Sequence, residues 1–299
     1  MSFVVDTRDV GKRLDKLVVE NVTGLGRRRA AELFARGHVT VNGTVATKGQ
    51  PAAPGCRVDV HLDGGASVPV EPDAPLTVLL ERPDLVVVDK PAGQPCAPLR
   101  GEGGTLASAL IARYPEMCLV GYSPREPGML HRLDNDTSGL VVAARGPSAF
   151  DALRRALVAG AIDKRYLAIV EAPNVPESGV IDAPIGPDPK GGAAVRVYSG
   201  DTPRSARSAR TEFRVIERGV RTLLEVRVSR AYRHQIRAHL AHAGLPILGD
   251  VLYGSPAARR QASRHALHAS HVAWAGDGTL AEFAATAPLP ADLVSLMAG

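Results

Sequence analysis

Between residues 63 and 76 the chain loses all apolar periodicity. Asp63-Gly64-Gly65-Ala66-Ser67 runs into Pro69, Glu71, Pro72, Asp73 and Pro75. Glycine leaves the backbone unrestrained and proline supplies no N–H, so such a stretch extends neither a helix nor a sheet. The break divides the 299 residues into a unit at 1–63, a linker at 64–75 and a larger unit at 76–299. A length near twice that of an ordinary domain agrees with the division.

Within the first unit, Leu14, Leu17 and Val18 recur at helical spacing, and a second helix is expected from Arg27 to Arg36, closed by Gly37. His38 to Val45 holds two alternating runs around Asn42-Gly43. That pair signals a hairpin, because both central residues of the turn need positive φ. A further strand is expected at Val58, Val60 and Leu62. Arg27, Arg28, Arg29 and Arg36 face only Glu32 in opposition. Such a helix could grip phosphates, although a basic run can equally be a solvated face.

Strands of the larger unit are expected at Leu76–Leu80, Leu85–Asp89, Lys164–Val170 and Leu223–Val228. Helices are marked by Leu106 with Leu110, by Phe150, Leu153 and Leu157 ahead of Gly160, and by Arg233 to Ala243. Strands interspersed irregularly with helices give an α+β class with a mixed, mostly antiparallel central sheet. Residues 184–210, rich in Pro, Gly, Ser and Arg, read as a long surface loop. No internal repeat, Gly-rich phosphate loop or dinucleotide fingerprint is present.

Hydrophobic residues at 45% and charged residues at 22% describe a folded globular chain rather than a disordered one. Thirty-six Lys and Arg against 31 Asp and Glu leave +5, which favours an acidic partner. Cys56, Cys96 and Cys118 stand too far apart to suggest a disulfide framework or a Cys-based zinc site. The charged opening residues hold no secretion signal, and no apolar stretch approaches the ~20 residues of a membrane span. A cytoplasmic protein without a membrane partner is the expectation.

The densest chemistry lies in His131-Arg132-Leu133-Asp134-Asn135-Asp136-Thr137-Ser138-Gly139-Leu140, where two carboxylates flank an amide beside two cations. An isolated acidic loop is usually a turn or cap, so this one needs partners to be catalytic. Arg233-His234-Gln235-Ile236-Arg237-Ala238-His239-Leu240 offers one, with Ile236, Leu240 and Ala243 directed at the core and Arg237 on another stripe. If Arg237 reaches Asp134, a charge-assisted hydrogen bond would keep the carboxylate ionised and aimed.

These two segments resemble the signatures of the RluA-type pseudouridine synthases. Asp89-Lys90-Pro91-Ala92-Gly93, Lys164-Arg165-Tyr166-Leu167-Ala168, Pro246 to Asp250 with Tyr253-Gly254, and Leu267-His268-Ala269 also match, in the family's order. Residues 12–62 resemble the RNA-binding domain named after ribosomal protein S-four. The resemblance implies that Asp134 is the catalytic aspartate, Tyr166 the aromatic residue beside the target uracil, and Arg237 the aspartate's partner. Arg132, His131 and Lys90 would contact RNA with the N-terminal arginines. It implies no metal and no organic cofactor. Its substrate is structured RNA, with large-subunit ribosomal RNA first and transfer RNA second, and the protein is expected to act as a monomer. Two departures bear on RNA selectivity: Ala231-Tyr232-Arg233 replaces the common Gly-Arg-Thr, and Cys96-Ala97 stands where a His is frequent.

Isomerising uridine requires breaking the bond from base to ribose, turning the base and rejoining it through ring carbon five. The base must first leave the stack, at a cost of a few kcal/mol that pocket contacts return. A carboxylate can attack the sugar, attack the base or remove a sugar proton, and proton removal is the step expected here. Tyr166 is either the acceptor of the proton from ring carbon five or a structural tyrosine. Two other classes compete. A metal hydrolase would use His265, His268 and His271, or His239 and His242, at three-residue spacing. A non-catalytic RNA-binding module would have no need of Asp134, Tyr166 and Arg237 together.

Overall fold

The computed structural model describes residues 1–22, 25–61, 68–99, 102–171, 174–189 and 191–298, without the side chain of Arg28. The expected strand position Leu62 and the linker's first residues, 64–67, lie outside the described residues.

Residues 1–61 carry a four-stranded antiparallel sheet in the order β1-β4-β2-β3, built from β1 (Ser2–Val4), β2 (Val39–Val41), β3 (Thr44–Val45) and β4 (Arg57–Val60). Two helices pack on it, α1 (Leu14–Asn21) and α2 (Arg27–Ala35), enclosing a core of Leu14, Leu17, Val18, Leu33, Val58 and Val60. Asn42 and Gly43 both take positive φ, 48° and 83°, as the hairpin between β2 and β3 requires. Gly37 follows α2 at φ 73°.

A nine-stranded sheet organises the remainder. Its strands are β5 (Thr77–Glu81), β6 (Leu85–Lys90), β7 (Ser138–Ala144), β8 (Asp163–Val170), β9 (Ser178–Asp182), β12 (Arg210–Arg218), β13 (Thr222–Arg227), β14 (Leu267–Trp274) and β15 (Phe283–Thr286). β10 (Ile185–Pro187) and β11 (Val195–Val197) form a separate antiparallel pair. The large sheet runs β5-β6-β7-β14-β8-β13-β12-β9, with β15 also on β14. Every described pairing is antiparallel except β7 with β14, where His268 stands opposite Ser138 and Ala269 opposite Gly139. This is the mixed, mostly antiparallel α+β architecture expected of the sequence.

At the parallel contact the strands approach so closely that a Cβ on Gly139 would sit 2.3 Å from the Ala269 carbonyl oxygen. The position, at φ 111°, therefore admits only glycine. Central strands are buried on both faces. On β7, Val141 and Ala143 join the core that holds Tyr166 and Leu240, while Leu140, Val142 and Ala144 join a second core under α4 (Pro147–Ala159). α4 ends on Gly160 in the left-handed conformation, φ 73°. The first core takes α3 (Leu106–Arg113), capped by Thr105 whose hydroxyl accepts from the Ser108 N–H at 3.0 Å. It also receives one face of α5 (Gln235–His242) through Ile236 and Leu240. Ala243, expected beside them, is the exposed cap of that helix. The short α6 (Pro256–Arg259) and the helix α7 (Ala291–Ala298) complete the unit.

Residues 184–210 correct the sequence reading. They hold the β10–β11 hairpin, which packs Ile185, Val195 and Val197 against Ala238 of α5 and Tyr253. Three-residue strands are too short to show an alternating pattern in a Gly- and Pro-rich background.

Candidate active site

Asp134 begins a turn closed by the Thr137 N–H on its carbonyl, 3.1 Å. The loop is fixed from three sides. Lys90, with no exposed surface, donates from Nζ to the carbonyls of Pro91, Gln94 and Asn135, each at 2.8 Å. The Leu133 N–H on the upstream side meets Cys96 Sγ at 3.4 Å. Downstream, Thr137 Oγ1 lies 2.7 Å from His265 Nε2, and Ser138 Oγ lies 2.9 Å from His268 Nδ1. His268 donates from Nε2 to the Ala287 carbonyl at 3.4 Å, so its Nδ1 accepts from the serine. Arg264 spans the gap behind the loop. It donates to the Asp136 carbonyl at 3.0 Å and is held by both oxygens of Asp292, at 2.7 and 3.2 Å.

Arg237 rises from the buried face of α5, 5% exposed. Its Nη1 donates to Asp134 Oδ2 at 2.7 Å, while Nε and Nη2 donate to the two oxygens of Asp250 at 2.7 and 2.9 Å. Asp250 has no exposed surface, and its Oδ1 also accepts from the backbone N–H groups of Leu252 and Tyr253. Burial alone would lift the Asp250 carboxyl, but the guanidinium's bonds and charge bring it below its usual value. Burial likewise works against the charge of Arg237, and the two carboxylates outweigh it and push the guanidinium up. Arg237 also lies 5.3 Å from the Tyr253 ring centroid.

Tyr166, on β8, is 5% exposed. Burial raises its phenol and the nearby negative charge of Asp134 raises it further. The three residues singled out as a catalytic group thus share one place: Asp134 bonded to Arg237, and Tyr166 within reach of the aspartate's field. His234 is the fourth neighbour, with Nε2 3.8 Å from Asp134 Oδ1.

The residues expected to meet RNA divide into two sets. Arg132 is exposed and pairs with Glu126 at 2.8 Å, a surface contact worth ~0–1 kcal/mol that a phosphate can displace. Arg27 and Arg36 are exposed on the N-terminal unit. Arg29 is not displayed: it is 7% exposed and lies 3.3 Å from Glu32. Lys90 is corrected from an RNA contact to an interior strut, and burial pushes its ammonium down to about 8. His131 is half-buried. Its Nε2 accepts from the Val142 N–H at 3.3 Å, and burial with the neighbouring charge of Lys164 pushes it down to about 3, so it stands uncharged and linked to β7.

The His residues weighed as metal ligands do not assemble. His268 and His271 lie on a strand, not a helix, and His271 Nδ1 faces Thr286 Oγ1 at 3.0 Å. His239 donates from Nε2 to the Ala183 carbonyl at 3.1 Å, and its Nδ1 meets Thr211 Oγ1 at 2.9 Å. Among the described residues no group of three or more His, Cys, Asp or Glu is arranged to hold a metal.

Sequence reading assigns no role to Asp250, His234, Tyr253 or Arg264. An aspartate closing the apolar run Pro246-Ile247-Leu248-Gly249 is the available signal for Asp250. A carboxylate there is either solvent-facing or, as found, buried against a cation.

Residues 84–242 match the RNA pseudouridylate synthase family. The chain belongs to that family, and within it to the RluA-type enzymes, isomerases that convert uridine in RNA to pseudouridine. It is 38% identical to an uncharacterized RNA pseudouridine synthase of Chloroflexus aurantiacus, over 97% of this chain and 90% of the relative. It is 35% identical to ribosomal large subunit pseudouridine synthase D of Xanthomonas campestris pv. campestris, over 98% and 90%. In fold, it resembles human RNA pseudouridylate synthase domain containing 1, with a TM-score of 0.61 at 22% identity, over 75% of this chain and 88% of that one.

Proposed function

We propose that the protein isomerises specific uridines in structured RNA with Asp134 as its catalytic carboxylate, and that large-subunit ribosomal RNA is the substrate. The 2.7 Å contact between Arg237 and Asp134 carries this reading. It occupies Oδ2 and leaves Oδ1 outside the ion pair, on a side chain that is 25% exposed. An aimed carboxylate with one free oxygen suits proton removal from the sugar of an extruded nucleotide. Tyr166 would contact the base, and its raised phenol would stay protonated at neutral pH.

The ribosomal assignment is supported by relatives whose names carry it, at 35%, 34% and 32% identity. Transfer RNA is the second candidate. The N-terminal unit acts in this reading as an S-four-like RNA-binding domain, with Arg27 and Arg36 as its phosphate contacts, and Arg132 occupies the stack vacated by the target. The enzyme works as a monomer, in the cytoplasm, without a cofactor.

Pseudouridine mapping of total RNA from cells with and without the gene tests activity and target together. Loss of one or a few ribosomal pseudouridines is expected, restored by the wild-type gene and not by Asp134→Asn. Restoration by the Asn variant would remove Asp134 from the chemistry.

A further inference from the structure

His234 precedes α5 at φ 56°, ψ 12°, a left-handed conformation rare for a residue with a Cβ. One of only two non-glycine residues with positive φ among those described, it is the one next to the site. Such strain persists only where the surroundings impose it. Here a hydroxyl does so: Tyr253 Oη stands 3.0 Å from His234 Nδ1, and the rings meet edge to face at 5.8 Å between centroids.

The protonation pattern follows from counting donors. Val195 of β11 donates its N–H to Tyr253 Oη at 2.7 Å. With that N–H on its oxygen, the phenol can direct its own proton to His234 Nδ1. The imidazole, held neutral because burial pushes it down, then carries its proton on Nε2. That nitrogen is the one 3.8 Å from Asp134 Oδ1. The opposite tautomer would set a lone pair against a carboxylate oxygen.

We propose that His234 is a positioning residue for Asp134: the Tyr253 hydroxyl fixes its ring as the Nε2–H tautomer, so that a donor faces the carboxylate oxygen Arg237 leaves free. Resting as it does on Asp134 being the catalytic group, the proposal adds a second restraint on the reacting oxygen. Hydrogen bonds of this kind are commonly long before substrate arrives and shorten in the complex. The relay also reaches outward. Its far end is the backbone of the β10–β11 hairpin, so the seating of that hairpin on Tyr253 sets the orientation of the histidine beside the aspartate.

Tyr253→Phe tests this, since it removes one oxygen and keeps the ring over Arg237. Single-turnover isomerisation of a substrate RNA is expected to slow about tenfold, the equivalent of one hydrogen bond, with RNA affinity unchanged. His234→Gln, whose amide nitrogen can stand where Nε2 stands, should keep more of the rate than His234→Leu of equal thermal stability. In 15N NMR of the wild type, His234 should show a protonated Nε2 and a bare Nδ1. A protonated Nδ1, or wild-type rates in both Tyr253→Phe and His234→Leu, would overturn the proposal. Asp134→Asn in the same assay separates the two levels. If it is inactive while those variants are normal, only the role of His234 fails; if it is active, the site reading itself fails.

Discussion

Asp250 holds Arg237 by both of its carboxylate oxygens, at 2.7 and 2.9 Å, and leaves the guanidinium a single nitrogen with which to meet Asp134. The aspartate with no exposed surface therefore sets the direction of the one that is open. Asp250→Asn is expected to abolish isomerisation although residue 250 has no access to RNA. Breaking one side of a buried pair should also cost about 3–5 kcal/mol of stability. Denaturant unfolding and a single-turnover assay check both. A stable, fully active variant would mean that Arg237 needs no second anchor.

Lys90 illustrates how far a basic side chain can be from a phosphate. Lys90→Met would leave three carbonyls without their donor and lower stability by about 2–4 kcal/mol. Since one of those carbonyls belongs to Asn135, the rate should fall with it. The affinity for RNA should be unaltered in protein that remains folded, as measured by filter binding below the unfolding temperature.

The N-terminal arginines separate by burial. Arg27→Ala with Arg36→Ala should weaken RNA binding across sequences. The slope of log affinity against log salt should become shallower by up to about one for each phosphate no longer neutralised. Arg29→Ala should instead reduce stability, because its guanidinium is 7% exposed and pairs with Glu32. A salt series on the two variants, with melting temperatures alongside, distinguishes them. Equal falls in affinity would contradict the division.

Histidines held neutral inside the folded chain's electrostatic surroundings give the fold an acid limit. His131 is pushed down to about 3 and His265 and His268 to about 4, each mainly by burial, from an ordinary value of 6.5. Between those values the unfolded chain binds protons that the folded one refuses, so stability falls as pH falls from about 6.5 to about 4. The depressed Asp250 acts in the same direction, losing its contribution as pH drops through its lowered folded value. Thermal melts from pH 7.5 to 4 should show a steep decline, shallower in His268→Gln. A melting temperature flat across that range would show that the histidines titrate normally.

What the sequence discloses and what it hides follow from chemistry. Asp134 and Arg237 stand out because several reactive groups crowd short segments that no packing rule explains, whereas Tyr166 is singled out only through the family resemblance. Lys90 misleads because a cation looks the same in a sequence whether it meets solvent or the backbone. Strand β7 escapes pattern reading since both of its faces are buried, which erases the alternation of apolar and charged residues that marks β13. The His spacing of three on β14 is as compatible with a strand as with a metal-binding helix, so it decides nothing alone. The pairing of Ser138 with His268 spans 130 residues, beyond the reach of local pattern.

That long span has a temporal side. A ribosome that has made residues 1–260 has already supplied Asp134, Tyr166 and Arg237, yet the loop bearing Asp134 still lacks His265, His268, Arg264 and the Asp292 that steadies it. The contacts that fix the loop bearing Asp134 are thus completed only when β14 and α7 have been added to the growing polypeptide.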